Sequence, residues 1–307
     1  MSWRGLHISK PAKLSLKHSQ LKLCQENGNE ITFAMEDMAY IILDTPQVTI
    51  TGALLAACAQ HGCLVMTTDS KHMPNGTLLP FHGYHRQLHT VHKQLTLSAA
   101  QKKRMWQAII QSKITNQSEN ASRQGNPLCH RYLLALVKKV KSGDPDNVES
   151  TAARLYWKGL FSEFTRDQDS LDRRNGLLNY AYALLRSALA RNLSAMGFVP
   201  SVGIHHKNKQ NAFNLADDCI EPWRPVADEH VCAHLANHPE GETVTLEDRQ
   251  AMTSLFTTNI QLGEEVVTVL HGLRRYIESF HSVLIRGSTN PMLFPQLSVT
   301  NFSSGRE

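Results

Sequence analysis

No run in the sequence approaches the roughly 20 apolar residues that a membrane-spanning helix requires, so a helical membrane protein is excluded. The opening stretch, MSWRGLHISKPAK, lacks the apolar core of a secretory signal. A cytoplasmic location with no membrane partner is therefore expected. None of the six cysteines, Cys24, Cys58, Cys63, Cys129, Cys219 and Cys232, is spaced as C-x-x-C. That argues against a zinc knuckle or dithiol redox motif and leaves buried free thiols, with Cys219 turned away from the acids around it. There is no internal repeat and no heptad run. Charge is also sparse: 19% of residues are charged and the formal net charge is +5, with 16 histidines uncounted. That balance permits a polyanionic partner without requiring one. What is present is 41% hydrophobic residues in 307, a globular composition long enough for two domains.

The first 85 residues read as mainly β. Residues 3–9, 12–18 and 20–25 alternate apolar and polar side chains, as half-buried strands do. Asn27-Gly28 marks a hairpin turn, followed by a further strand from Ile31. Residues 39–44 (AYIILD) and 63–69 are continuous apolar runs, the pattern of strands covered on both faces. Between them Thr51 starts and Gly62 stops a short helix. The breaker-rich residues 71–85 (KHMPNGTLLPFHGYH) place a boundary near His85.

Beyond it the chain reads as helical. Ser98 caps a helix over 99–117, with Met105, Trp106, Ile109, Ile110 and Ile114 at helical spacing. Further helices are expected over 131–143, 144–161, 175–197, 245–256 and 264–285, followed by a loose tail after about residue 287. The expected class is α+β. A small N-terminal β-sheet domain (1–85), with enough alternating strands for dimerisation or partner contact, precedes a larger, mostly α-helical domain (86–307).

One stretch concentrates chemistry. Residues 203–225, GIHHKNKQNAFNLADDCIEPWRP, hold His205 and His206, then Asp217, Asp218 and Glu221, then Pro222. With Asn214 as cap and a helix from Leu215, Asp217 and Asp218 share a face with Glu221 at i, i+4 and i, i+3. Such acids repel one another unless a cation sits among them. The competing explanation is that they only complement a helix dipole. Pro222 lacks an N–H, so it disturbs this helix and frees a carbonyl one turn back; we expect it to bend the acids toward a shared cation. Only one of the adjacent histidines can face them. A second candidate is Glu149 in the first turn of ESTAARLYW, flanked by Ala152, Ala153 and Tyr156. Taken alone it is an ordinary first-turn acid.

Together these stretches resemble the CRISPR-associated integrase and endonuclease family, the "Cas one" subunit that installs new spacers in CRISPR arrays for antiviral defence. ESTAARLYW matches the family's acid-alanine-arginine-aromatic helix at Glu149, Ala153, Arg154, Tyr156 and Trp157. DCIEPWRP, residues 218–225, matches its D-x-x-E-P-aromatic-R-P pattern. The Asn-rich link before it and Asn116-Gln117 resemble the branch that accompanies type II systems. The resemblance implies metal ligands and catalytic residues at Glu149, His206 and Glu221, with Asp218 as a supporting acid. His206 is preferred to His205 because it precedes Glu221 by the family's fifteen positions (221 − 206).

One imidazole and two carboxylates without a thiolate suit Mg²⁺ or Mn²⁺, although zinc accepts the same donors. The implied reaction joins the 3′-OH of an incoming DNA fragment to leader–repeat DNA by transesterification, a metal-dependent phosphodiester chemistry of the hydrolase class. The implied partners are double-stranded DNA (prespacer and CRISPR repeat), a second copy of the chain, the small second CRISPR adaptation protein and the type II effector nuclease. Lys207, Arg173, Arg174 and Arg224, with Lys209 and residues 102–104, are candidates for holding DNA phosphates. The rival readings are a general metal-dependent nuclease or phosphoesterase that uses water, and a non-catalytic DNA-binding scaffold.

Overall fold

The computed structural model describes residues 3–80, 84–286 and 292–297. Its mixed α and β architecture agrees with the expected class. Strands β1 (Arg4–Ile8), β2 (Ala12–Lys17), β3 (Gln20–Gln25), β4 (Glu30–Ala34), β5 (Met38–Leu43) and β6 (Val48–Ile50) come first. Helix α1 (Gly52–His61) and strands β7 (Leu64–Thr68) and β8 (Pro74–Thr77) follow. They form two four-stranded sheets, in the orders β1-β5-β7-β8 and β4-β3-β2-β6. In the first, β5 runs parallel to both β1 and β7, while β8 returns antiparallel.

The apolar run in β5 is explained by burial on both faces. Ile41 packs with Leu14, Leu21, Leu54 and Val65 toward the second sheet and α1. Tyr40 and Ile42 point the other way, into the core shared with the helices, as the two-residue period of a strand requires. Thr51 caps α1 through its side chain, and Gly62 ends it in the left-handed conformation.

The helical part contains α2 (Gln87–Leu95), α3 (Ala99–Arg123), α4 (Pro127–Val137), α5 (Val148–Leu160), α6 (Arg173–Ala195), α7 (Asn214–Ile220), α8 (Arg224–Asn237) and α9 (Leu246–Thr253). Strands β9 (Asn259–Leu262) and β10 (Glu265–Thr268), helix α10 (Val269–Arg286) and strand β11 (Pro295–Gln296) complete it. Helix α6 runs through the core: Leu177, Leu178, Tyr180, Leu184, Leu185 and Leu189 are fully buried. Helix α3 packs against α4, α5 and α8, and α6 packs against α7 to α10. The candidate site lies where these two groups meet. The expected boundary near His85 falls between β8 and α2.

Several local expectations fail. Residues 74–77 form β8 rather than a loop, because β7 supplies a pairing edge. Residues 265–268 are a strand paired with β9, not the start of a helix. Helix α4 stops at Val137, short of the basic run it was expected to include. The tail is not loose where it is described: Leu297 donates its N–H to Asn116 Oδ1, and Met292, Pro295 and Leu297 are buried. Residues 287–291 and 298–307 lie outside the described residues.

Candidate functional site

Helix α5 brings in Glu149. Asn147 precedes it in the left-handed conformation and makes no side-chain cap. Asp144 takes that role, its carboxylate accepting the N–H groups of Val148 at 2.9 Å and Glu149 at 3.0 Å. Glu149 Oε1 lies 2.6 Å from Lys113 Nζ, which comes from α3.

The same ammonium is 2.5 Å from Glu221 Oε2. Arg224 Nε donates to the other Glu221 oxygen at 2.9 Å. Burial alone would raise the Glu221 pKa, but Arg224 and Lys113 outweigh it and hold the carboxyl down at about 2. Burial likewise disfavours the Lys113 charge, and Glu221 and Glu149 reverse that and raise its pKa.

Pro222 lies in the short 3-10 turn, Glu221–Trp223, that separates α7 from α8. The interruption expected from proline is therefore present. The carbonyl of Pro222 accepts from Asn116 Nδ2 of α3 at 3.1 Å, tying the turn to the helix that carries Lys113.

The histidine loop wraps around Asp218, which is fully buried. Its carboxylate accepts the backbone N–H groups of Ile204 at 2.6 Å, His205 at 3.1 Å and His206 at 3.0 Å. It also pairs with His206 Nδ1 at 2.7 Å, and this contact outweighs burial in raising the imidazole pKa. His205 stacks on Trp106 with ring centroids 3.9 Å apart; burial lowers its pKa, opposed by the charges of Asp218 and Glu149. Gly203 cannot be larger, because a Cβ there would lie 2.4 Å from His206 O and 2.8 Å from Asp218 Oδ2.

Two local expectations are corrected here. Asn214 does not cap α7; it is the helix's first residue, and its side chain donates to the carbonyls of Ser201, Asn208 and Asn211. Asp217 does not face the site with Glu221. Arg186 Nε pairs with it at 2.6 Å and Asn211 Nδ2 donates to it at 2.6 Å. The acids are separated onto individual partners rather than pooled. Cys219 is buried; burial and the nearby Asp218 charge raise its thiol pKa, opposed by its hydrogen bond with Tyr276.

The basic candidates divide as well. Arg173 is buried and committed to Asp248 and to the carbonyls of His238 and Glu240, so its guanidinium is not free for phosphate. Arg174 is held by Asp172 and the carbonyls of Ser162 and Glu163. Arg224 shapes the site from within, 4.5 Å above the Tyr182 ring. Lys207 and Lys209 are exposed beside the histidine loop.

A cavity of about 280 Å³ opens beside Glu221, with Lys113, Gln117, Trp157 and Asp228 in its wall. A larger one, about 780 Å³, lies between α1, α6 and α10, away from every motif residue. Asp228 lines the smaller cavity, and the sequence reading missed it. Tyr182 OH and Tyr156 OH donate to its two oxygens, the latter at 2.9 Å, and Asn120 Nδ2 donates to Tyr156 at 2.7 Å. Burial dominates over both tyrosines and pushes the Asp228 pKa up to about 7. Its sequence signal was its place seven residues after Glu221, two helical turns onward. Lys113 was also missed. It lies between Ile109, Ile110 and Ile114 on the apolar stripe of α3, where a charge needs a buried partner.

Among the described residues no three His, Cys, Asp or Glu side chains already form a metal cluster. The donors nevertheless suit a hard divalent cation. Glu149 and Glu221 converge on one positive charge, the Lys113 ammonium, and Glu221 is buried. Asp218 engages His206 Nδ1 and leaves Nε2 without that carboxylate, an arrangement that fits the carboxylate bracing common at metal-bound imidazoles.

A family model described as CRISPR associated protein Cas1 matches residues 6–250. The CRISPR-associated endonuclease Cas1 of Neisseria meningitidis serogroup C (strain 8013) is 38% identical over 298 residues, 97% of each chain. A counterpart from Saccharolobus solfataricus is 29% identical over 61% of each chain. Among solved structures, a Cas1 protein from Thermotoga maritima superposes with a TM-score of 0.73 at 15% identity, over 92% of this chain and 97% of that one. A casposase bound to integration product gives 0.72 at 18% identity, over 94% and 92%. A Cas6-RT-Cas1–Cas2 complex gives 0.69 at 18% identity, over 92% of this chain and 35% of that one. The structural likenesses carry the fold; the sequence matches carry the relationship, and by them this chain belongs to the Cas1 family of CRISPR-associated proteins.

Proposed function

We propose that the chain is a metal-dependent DNA integrase and endonuclease of CRISPR adaptation, joining a DNA 3′-OH to leader–repeat DNA by transesterification. The observation that carries this reading is the convergence of Glu149 and Glu221, from different helices, on one cation in the domain that also holds the Asp218-braced His206. Glu149, His206 and Glu221 would hold Mg²⁺ or Mn²⁺, which supplies charge neutralisation at the phosphoryl oxygens and a more acidic attacking hydroxyl.

The rest is the protein's own work. Asp218 fixes the imidazole's orientation and tautomer. Arg224 keeps Glu221 ionised in a buried setting. Lys207 and Lys209 offer charge for a DNA backbone at the loop's outer face. In-line displacement at phosphorus requires positioning and charge, so no Ser, Cys or Tyr nucleophile is needed. Double-stranded DNA is the proposed substrate, with a cytoplasmic setting. A second copy, the small second adaptation protein and the type II effector are the proposed partners. The naming of Cas1 with Cas2 in one structural neighbour supports the adaptation partner.

The test combines a labelled short duplex, a CRISPR-repeat plasmid and added Mn²⁺. Label joined to the repeat supports integration. Cleavage without joining points to a nuclease that uses water, and binding without either product points to a scaffold.

A further inference from the structure

The reading of Glu149 and Glu221 as metal ligands leaves Lys113 without a role, yet its ammonium bridges both. Its ammonium is 2.6 Å from Glu149 Oε1 and 2.5 Å from Glu221 Oε2, and the residue is only 8% exposed. Lysine is almost never buried unless paired. Here α3 carries it in from the stripe that otherwise presents Ile109, Ile110 and Ile114 to the core. With Arg224 on the opposite oxygen of Glu221, the four charges cancel: two carboxylates, one guanidinium and one ammonium. Without the lysine, the two carboxylates would have only Arg224 to balance them, and it pairs with Glu221 from the far side. Like charges that share a buried site disfavour ionisation.

A divalent cation needs the same two oxygens. Inner-sphere oxygen contacts to Mg²⁺ are about 2.0–2.1 Å, and they would use the carboxylate oxygens that the ammonium now approaches at 2.6 Å and 2.5 Å. The cation and the ammonium cannot both take these lone pairs without strong mutual repulsion.

We propose that Lys113 is the resident counter-ion of this centre. It holds Glu149 and Glu221 together in the metal-free protein and withdraws from them when the divalent cation binds. Metal loading is thus an exchange of cations, and Lys113 sets its affinity. The inference rests on the metal-ligand reading of Glu149 and Glu221 given above.

The experiment titrates Mn²⁺ into the full-length metal-free protein, following free Mn²⁺ by electron paramagnetic resonance, with thermal melting measured in parallel. Lys113→Met removes the competing charge while keeping a buried, unbranched side chain at this position of α3. It is expected to bind Mn²⁺ about tenfold more tightly than wild type, to melt lower without metal, and to gain more melting temperature on loading. Lys113→Gln, which retains a hydrogen-bond donor, is measured alongside in case the methionine variant does not fold, and is expected to tighten binding in the same direction. Mn²⁺ binding by the folded variants at wild-type strength or weaker overturns the proposal while leaving the metal centre standing. Absence of Mn²⁺ binding in wild type and variants alike removes the metal-centre reading, and the proposal with it.

Discussion

Asp218→Asn separates bracing from folding more cleanly than any other change at the site. The carboxylate accepts N–H groups from Ile204 and His205 at Oδ2, and from His206 N and the His206 ring at Oδ1. An asparagine can keep its oxygen toward Ile204 and His205. Its amide then points two hydrogens at the His206 position. The backbone N–H of His206 loses its acceptor, at a cost of about 1–3 kcal/mol for a buried donor. The two retained bonds are no longer charge-assisted, which removes on the order of 1 kcal/mol more. The total is roughly 2–4 kcal/mol, and at about 2–4 °C per kcal/mol the melting temperature drops by roughly 4–16 °C. The ring responds too: an amide hydrogen facing Nδ1 selects the tautomer with its proton on Nε2, the nitrogen assigned to the metal. Loss of such a brace typically weakens metal binding about 10- to 100-fold. Melting without metal and Mn²⁺ titration of the same protein check the two effects independently. A variant that melts and binds Mn²⁺ as wild type does would refute the bracing argument outright.

Four further outcomes follow from the same geometry. Glu149→Gln keeps a hydrogen-bond acceptor for Lys113 and should stay folded, while strand transfer falls by more than about 10²-fold; wild-type turnover at saturating Mn²⁺ would remove Glu149 from the site. Pro222→Ala restores an N–H in the turn before α8 and should preserve or raise the melting temperature while slowing strand transfer on the order of 10²-fold; an unchanged rate would show that packing alone, through Asn116, positions Glu221. Asp228 sits at about 7 in the fold against an ordinary 3.8, so the folded state retains a proton that the unfolded chain releases. Its contribution is full below about pH 4 and is lost as pH rises to about 7, a difference of about 4 kcal/mol at 1.36 kcal/mol per unit; Asp228→Asn should flatten that part of the stability profile, and an unaltered slope would contradict the assignment. Arg173→Ala breaks a buried pair with Asp248 and should cost about 3–5 kcal/mol in urea unfolding; DNA affinity per folded molecule should not change, and a marked loss would return Arg173 to the DNA surface.

Local physics carried the sequence reading furthest where a few neighbouring residues decide the outcome. Thr51 and Gly62 bound α1 because a side-chain oxygen and a left-handed glycine satisfy backbone groups within one turn. Ser98 and Gln101 close a capping box on α3 for the same reason. The strand alternation of residues 12–25 was equally legible, since its period is set by the pleat. The motif residues Glu149, His206 and Glu221 stood out through family resemblance, because each one alone matches an ordinary first-turn acid or loop histidine.

The tertiary structure decided whatever depends on a partner far along the chain. PNGT at 74–77 became β8 only because β7 offers an edge, and residues 265–268 became β10 only against β9; short segments of weak propensity follow the pairing available to them. Asp217 and Asp218, adjacent in sequence, were sent to Arg186 and to the histidine loop by helix geometry, which turns neighbouring side chains about 100° apart. The loop that encloses Asp218 gave the His206 ring that carboxylate and set the His205 ring on the face of Trp106. The sequence determined which charges this protein possesses. The packing of α3 against α5 and α8 determined that Lys113 would stand between Glu149 and Glu221, since only a folded core places three residues so distant in the chain within hydrogen-bond reach and excludes enough water for their charges to govern one another.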